Sequence, residues 1–387
     1  MSGWRNFCIT ELADFCNAQR IPLSAMERAH KKGNFPYYGA SGIVDYIDNY
    51  IFDGSYILIS EDGENLKSRK TPIAFEATGK FWVNNHAHVL KAKKPHLTTL
   101  IIQYFSQLDL SPYLTGAAQP KLNKASLNLT PLYLPIDESE QKAIASILSS
   151  LKDKIDLLHC QNKTLESMAE TLFRQWFDVD SNDEWQEKNV IDIFTLVGGG
   201  TPKTSVAEYW TDEIPWISGG DISAAHQGYL YSTEKSISLA GLQNSSAKLL
   251  PKNSTVISAR GTVGKYALLA RDMAFSQSNY GIVSKIGSYP FFIYLLVGFI
   301  VDDLLTAAYG SVFDTITTRT FESVNLKFPS LNSIEKFNEE ISPIFSKKET
   351  NTQQIKTLEN LRDTLLPKLM NGEVRVQYAE EAIASVA

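Results

Sequence analysis

Apolar residues recur at alternating steps of four and three from residue 144 to residue 176: Ile144, Leu148, Leu151, Ile155, Leu158, Asn162, Leu165, Ala169, Leu172 and Trp176. Asn162 is the one polar member of the series. A 4-3 spacing held over this length predicts a coiled-coil seam rather than a surface helix burying one face. Pro135, Asp137 and Glu140 mark the helix start, and about 40 residues rising ~1.5 Å each make a rod of roughly 60 Å. A second series repeats the spacing through Ile334, Phe337, Ile341, Ile344, Lys348, Asn351, Ile355, Leu358, Arg362 and Leu365. Its middle is more polar. Pro343 is expected to bend it, and Pro367 followed by Asn371-Gly372 to end it. Asn162 and Asn351 each put a polar group into a seam, which costs stability and fixes register. Two unrelated core helices would be a plainer account, but they would not need a pattern this long.

Between the helical stretches the pattern is that of strands and turns. Residues 50–59 and 252–258 read as a turn leading into a strand. Gly79-Lys-Phe-Trp-Val83 and Gly264-Lys-Tyr-Ala-Leu268 are similar openings, a glycine and a lysine before an aromatic. Gly, Ser, Asn and Thr fill the loops, notably Gly198-Gly-Gly-Thr-Pro202 and Ser218-Gly-Gly-Asp221.

The chain also repeats itself. Thr164-Leu-Glu-Ser-Met-Ala-Glu-Thr-Leu172 matches Thr357-Leu-Glu-Asn-Leu-Arg-Asp-Thr-Leu365 at a constant offset of 193. Gly116 precedes Pro135 by 19 residues, as Gly310 precedes Pro329. Both stretches close on apolar residues, Leu127, Leu129, Leu132 and Leu134 in one and Phe321, Val324, Leu326 and Phe328 in the other. Trp4 and Trp185 open the two halves. Several matches in one order point to a tandem duplication. The chain therefore reads as α+β, with two duplicated, strand-rich mixed domains separated by long helices. The boundaries are a globular domain over 1–135, a long helix over 136–178, a second domain over 184–330, a second helix over 331–371 and a tail over 372–387.

Composition adds limits. The 387 residues are 43% hydrophobic and 21% charged, which allows packed cores and excludes wholesale disorder. Three cysteines, Cys8, Cys16 and Cys160, are too few for a disulfide scaffold and point to a reducing compartment. The N-terminal stretch lacks a basic run followed by an apolar one, so no secretory signal is expected. The longest apolar run, Phe291–Val301, is short of the ~20 residues a membrane span needs and is expected to be a buried helix. A soluble, cytoplasmic protein is the expectation. Net charge is -6, yet residues 1–135 hold 14 Lys and Arg against 11 Asp and Glu. Bulk charge thus gives nucleic-acid binding little support; a phosphate-binding face would have to be local.

Enzyme chemistry finds no footing in the motifs. Gly261-Thr-Val-Gly264-Lys265-Tyr266 has the wrong glycine spacing for a phosphate loop, and Tyr where a metal-binding hydroxyl belongs. His86 and His88 would share a strand face, but no second cluster completes a metal site. No Gly-x-Ser-x-Gly elbow is present. Asn34-Phe-Pro-Tyr37 approaches the Asn-Pro-Pro-Tyr loop of amino-directed DNA methyltransferases, without the glycine-rich methyl-donor turn upstream. Binding chemistry fits better. Arg pairs with guanine, Asn and Gln with adenine, and Lys with phosphate. Candidate DNA contacts in the first domain are Lys31, Lys32, Tyr38, Ser41, Lys67, Arg69, Lys70, Asn84, Asn85, His86, Gln119 and Lys121. In the second they are Thr201, Lys203, Ser218, Asp221, Arg260, Lys265, Gln277, Asn279, Thr318 and Arg319. The densest cations, Lys67-Ser-Arg69-Lys70 and Lys91-Ala-Lys-Lys94, also suit a plain solvated surface.

Several stretches together resemble the specificity subunits of type I restriction-modification systems. They are Arg362-Asp-Thr-Leu-Leu-Pro-Lys-Leu-Met-Asn-Gly-Glu-Val374 with its partner at 165–177, and Gly199-Gly-Thr-Pro202 with Ile214-Pro-Trp-Ile-Ser218 and Asp221. Ser258-Ala-Arg-Gly-Thr-Val-Gly264 and Gly116-Ala-Ala-Gln-Pro-Lys-Leu122 are similar too. The resemblance covers essentially the full chain. It implies two target recognition domains, each reading part of a split DNA site. It implies long helices paired as an antiparallel coiled coil with pseudo-two-fold symmetry, which set the gap between the half-sites. It further implies docked methyltransferase subunits carrying S-adenosylmethionine, a motor-nuclease subunit using ATP and Mg2+, and no catalysis or bound cofactor in this chain. The competing class is an interaction scaffold without a DNA role, which steep salt dependence of DNA affinity would exclude. A free-standing methyltransferase would have to bind the methyl donor alone.

Overall fold

The structure, a computed structural model, describes residues 3–116, 119–177, 185–309, 315–374, 376, 378, 379 and 381. The first half runs β1 (Trp4–Phe7), α1 (Ile9–Leu12), β2 (Ala13–Phe15), α2 (Ala25–Ala29), β3 (Lys32–Gly39), β4 (Gly42–Ile47), β5 (Phe52–Asp53), β6 (Tyr56–Ser60), α3 (Asn65–Ser68), β7 (Ala74–Ala77), β8 (Lys80–Val83), β9 (Ala87–Ala92), α4 (Pro95–Gln107), α5 (Lys124–Leu129), β10 (Leu132–Pro135) and α6 (Glu138–Trp176). The second runs β11 (Gln186–Asn189), α7 (Val190–Ile193), β12 (Phe194–Gly198), β13 (Ile214–Ile217), α8 (Gly219–Ala224), β14 (Tyr229–Leu230), β15 (Lys235–Ile237), α9 (Leu239–Gln243), β16 (Leu249–Leu250), β17 (Thr255–Ser258), β18 (Tyr266–Leu269), β19 (Met273–Phe275), β20 (Asn279–Ser284), α10 (Pro290–Tyr309), α11 (Thr318–Glu322), β21 (Asn325–Phe328) and α12 (Leu331–Met370).

The duplication is written in the sheets. One sheet of the first half has the order β2-β9-β6-β7, and one of the second β12-β20-β17-β18, extended by β14. The other sheets are β4-β3-β8-β5 and β15-β13-β19-β16. In each, the central pair is parallel, β3 with β8 and β13 with β19, and the flanking pairs are antiparallel. Each half is closed by its first and last strands, Trp4 facing Pro135 and Gln186 facing Phe328. The apolar closing marks fall on α5 and β10 in one half and on α11, β21 and the turn between them in the other. Gly310 and the junction at 178–184 lie outside the described residues, as does most of the tail over 372–387. The two Gly-Lys-aromatic openings are not counterparts. Gly79 leads into β8, the equivalent of β19, whereas Gly264 leads into β18, the equivalent of β7.

The chain forms two compact units, Met1–Leu157 with Gln354–Ala387, and Leu158–Gln353, so each long helix is shared between them. In the first unit Phe52, Leu58, Phe81, Val83 and Val89 form a core cluster. The seam residues Ile144, Leu148, Leu151 and Ile155 of α6 are buried, as are Ile355, Leu358 and Leu365 of α12. In the second unit α10 is long and apolar enough to cross a membrane by length and composition. Here it is the centre of the core, with Phe292 beside Phe173 of α6 (ring centroids 5.7 Å) and Tyr294 beside Tyr266 (5.5 Å). Leu158 of α6 and Ile341 of α12 are also buried, while Leu165 and Leu172 are half-buried.

Within that unit the helices run in opposite directions. Asn162 donates to Thr352 at 3.0 Å, Glu166 meets Lys348, and Trp176 donates to Glu340 at 3.1 Å. Asn351, fully buried, donates to Gln161 at 3.3 Å. The seam polar residues therefore pair across the helices, as register-fixing groups do. Neither proline interrupts the helix. α12 is continuous through Pro343, flanked by buried Ile341 and Phe345, and through Pro367. Tertiary burial of the flanking turns outweighs local preference. The helix ends only at Met370, where Gly372 takes a φ of +79°, a conformation that favours glycine.

Candidate nucleic-acid interface

In both halves the loops that leave the same edges of the duplicated sheets converge. In the first, the Ser60 hydroxyl at the end of β6 donates to Ala40 O at 2.6 Å, and Asn84 N donates to Tyr38 O at 3.0 Å. Glu61 N donates to His86 O at 2.8 Å, Gly63 N to Pro120 O at 3.1 Å and Leu122 N to Glu61 O at 2.8 Å. These bonds draw the β3–β4 turn, the β8–β9 turn, the segment after β6 and residues 119–122 to one end of the domain. Ser41, Asn84, Asn85, His86, Gln119 and Lys121 are thereby brought together. All but half-buried Asn84 are exposed.

Arg20, which sequence reasoning passed over, organises this end. Its guanidinium reaches the Glu61 carboxylate and Ala87 O, both at 2.7 Å. Burial pushes the Glu61 carboxyl up, but Arg20, His88 and Lys121 outweigh it and hold it below its ordinary value. His88 is buried beneath, and burial lowers its imidazole. Its Nε2 lies 2.7 Å from Leu122 O and its Nδ1 2.9 Å from the Asn17 amide nitrogen. That geometry suits a neutral ring donating from Nε2 and accepting at Nδ1. His86 instead lies in the turn, 2.9 Å from Asp62. The two histidines therefore serve separate partners, and no cluster of metal-ligating groups occurs among the described residues.

The second half repeats the convergence with other chemistry. A Cβ on Gly199 would lie 2.3 Å from Ser276 O, and one on Gly200 as close to the backbone of Ser246, so only glycine fits either position. This close passage sets Thr201 against Gln277, whose side chains are hydrogen-bonded. Ser218 and Asp221 form a capping box at the start of α8, so both carry a structural duty. Thr262 donates to Gly219 O at 3.1 Å, Ala259 N to Ser278 O at 2.9 Å and Ile316 N to Ala259 O at 3.1 Å. Lys203, Arg260, Lys265, Thr318 and Arg319 are exposed around this assembly.

Several candidates have other duties. Arg69, at φ +49°, donates to the carbonyls of Phe105, Ser106 and Leu108, capping the C-terminal end of α4. Lys32 pairs with Asp45 at 2.5 Å and, with Lys31, lies at the opposite end of β3 from Gly39. Tyr38 packs edge-on to Phe81 (5.6 Å), and burial raises its hydroxyl's pKa. Asn279 is buried and donates to Ser276 Oγ at 2.9 Å, which removes it from any groove contact. Lys67 and Lys70 stay exposed on either side of Arg69. In the second cation run, Lys91 donates to Ser55 O, Lys93 to Thr10 O and Lys94 pairs with Glu138. The Asn34–Tyr37 stretch is strand, with Tyr37 buried and 2.9 Å from Leu23 N. It offers no platform for an extruded base.

Comparison with known proteins agrees with the duplicated architecture. The family model "Type I restriction modification DNA specificity domain" matches twice, over residues 1–167 and 182–361. The MjaIX type I restriction enzyme specificity subunit of Methanocaldococcus jannaschii is 24% identical over 383 residues, 89% of this chain and 88% of that one. A Haemophilus influenzae protein whose name assigns it as a type I restriction enzyme specificity subunit is 36% identical over 143 residues, 37% of this chain and 36% of that one. In fold, the chain is similar to the crystal structure of a type I restriction-modification S subunit from M. genitalium, with a TM-score of 0.64 at 13% identity over 95% of this chain and 96% of that one. With both halves matched, the chain belongs to the type I restriction-modification DNA specificity family.

Proposed function

We propose that this chain is the DNA-specificity subunit of a type I restriction-modification complex. The domain over 1–135 reads one part of a split duplex site and the domain over 184–330 reads the other. The long helices, read as one antiparallel coiled coil along their whole seam, set the number of unread base pairs between the parts. The observation that carries this reading is the repeat itself, with two sheet pairs of one topology that end in loops of amides, hydroxyls and cations. Such groups read base edges and hold phosphates. Contacts about one turn of duplex apart, ~34 Å, suit a protein with two equivalent readers.

In this reading methyltransferase subunits dock on the helices and carry S-adenosylmethionine, and a motor-nuclease subunit brings ATP and Mg2+. This chain makes and breaks no bonds. It works in the reducing cytoplasm, a setting in keeping with its free cysteines Cys8, Cys16 and Cys160. With a net charge of -6, it shares phosphate contact with its partners and binds DNA weakly alone.

Sequencing modified bases in DNA from cells carrying the system should return a split motif, and its absence would overturn the assignment. Exchanging residues 184–330 for those of another family member should change one half only; a change in both would refute independent readers. Inserting four residues near Asn162 should alter the gap and spare both halves, and an unaltered gap would refute the spacer role.

A further inference from the structure

The β3–β4 hairpin carries a break in its pairing. Tyr38 faces Ile43 and Tyr37 faces Asp45, so Val44 is an extra residue with no partner. A bulge of this kind takes a side chain out of the strand's alternation, and such bulges gather beside functional sites. Here the bulge carries Val44 over the backbone of Gly39. A Cβ on Gly39 would lie 2.9 Å from Val44 Cγ1 and 3.4 Å from Asn84 Nδ2. A methyl group and an amide thus converge over one bare stretch of backbone, beside the turn that holds Ser41. Val44 is 56% exposed, so its own domain gains little from it. Asn84 Oδ1 accepts from His86 N at 2.8 Å, which fixes the carboxamide and leaves Nδ2 with no hydrogen-bond partner among the described residues.

The major-groove edge of an A·T pair presents acceptors at adenine N7 and thymine O4 next to the thymine 5-methyl; a G·C edge has no methyl. An amide donor can serve the acceptors of either edge, but an exposed valine beside it meets a methyl only on the first. We propose that Val44 and Asn84 form an A·T-reading element of the first domain. Val44 packs on the thymine 5-methyl, and Asn84 Nδ2 donates to an acceptor of the same edge. Gly39 belongs to the element because any side chain there would push the two apart. This rests on the DNA-reading function proposed above and names part of its specificity.

The test uses the full chain assembled with its methyltransferase subunits and the mapped split motif. Each thymine in the half read by the first domain is replaced singly by deoxyuridine, which removes only the 5-methyl. Wild type should lose about fivefold in affinity at one position, the scale of one buried methyl group. Val44→Ala should bind the thymine duplex about fivefold more weakly and show no further loss with deoxyuridine. Val44→Thr, which keeps the shape and one methyl, should retain part of the discrimination. Wild-type indifference to deoxyuridine at every position overturns the proposal, as does a full thymine-to-uracil ratio in Val44→Ala, or a half-site made wholly of G·C. A system with no split motif would overturn it together with the proposed function; a mapped motif without methyl dependence overturns this element alone.

Discussion

Lys348 of α12 sets its ammonium against the Glu166 carboxylate of α6, with side chains only 8% and 17% exposed. Lys348 Nζ also donates to Gln227 O at 3.0 Å, and the Tyr294 hydroxyl donates to Glu166 at 2.8 Å. One ion pair therefore ties both helices to two separate pieces of the second domain, the segment after α8 and the core helix α10. Burial lowers the ammonium from its ordinary value, to about 7, and contact with the carboxylate works the other way. Removing one partner of such a pair leaves an uncompensated charge. Lys348→Met is expected to destabilise the unit by about 3–5 kcal/mol. The joint change Lys348→Met with Glu166→Leu should cost less than the two single changes added. Chemical denaturation of the three variants measures this; a negligible single loss would mean the pair is solvated.

Arg69 separates a structural cation from a binding one. Its guanidinium meets carbonyls that the end of α4 leaves without helical partners. Arg69→Ala should cost about 1–3 kcal/mol of stability, as lost hydrogen bonds to a charged group do. Lys67→Ala and Lys70→Ala should leave stability within about 0.5 kcal/mol. Urea unfolding compares the three. Equal stability in all would show the cap to be idle.

Two carboxylates of the first compact unit, Glu11 on α1 and Glu138 at the start of α6, set an acid limb. The Arg5 guanidinium, then the backbone N–H and thiol of Cys8, hold the Glu11 carboxyl at about 2. Lys94, then Lys142, hold Glu138 at about 2. In the unfolded chain such groups titrate near 4.5. Between the two values the unfolded state binds the protons, so their stabilisation is whole above about pH 4.5 and drains away as pH falls toward 2. Both partnerships are exposed and weaken with salt. The urea midpoint should drop across that window, and Glu11→Gln should flatten the drop at low salt. An unchanged slope would mean the Arg5–Glu11 contact is absent in solution.

How legible all this was depended on the range of the signal. The helices were readable because a 4-3 repeat is local, although the buried residue near Pro343 is Phe345 beside the expected Ile344. The duplication was readable from a few marks, but its extent was not. Strands such as β5, β14 and β16, two residues each, leave no alternation to detect and exist through their sheet neighbours. At the reading loops, residue types were visible and commitments were not. Arg69 and Lys32 are engaged by carbonyls and a carboxylate that lie elsewhere in the sequence, and Asn279 is buried against nearby Ser276 and the distant Ile217 carbonyl. Arg20 sits in a polar run without periodicity, and its role appears only when Glu61 and Ala87 are brought to it.

Arg260 is the reverse case. It follows the buried strand β17 and is exposed on the loop that Thr262 fastens to Gly219 and Ala259 to Ser278. Among the described residues its guanidinium has no ion pair or hydrogen bond. A rigid loop with an unengaged guanidinium loses nothing within the protein when it meets a phosphate or a guanine edge. Arg260→Ala should leave the melting temperature unchanged and weaken DNA binding by the assembled complex. If the contact is to phosphate, the slope of log affinity against log salt should shrink by about one and the mapped motif should persist. If it is to guanine, one position of the half read by the second domain should relax while the salt slope holds. Unchanged affinity, slope and motif would remove Arg260 from the interface.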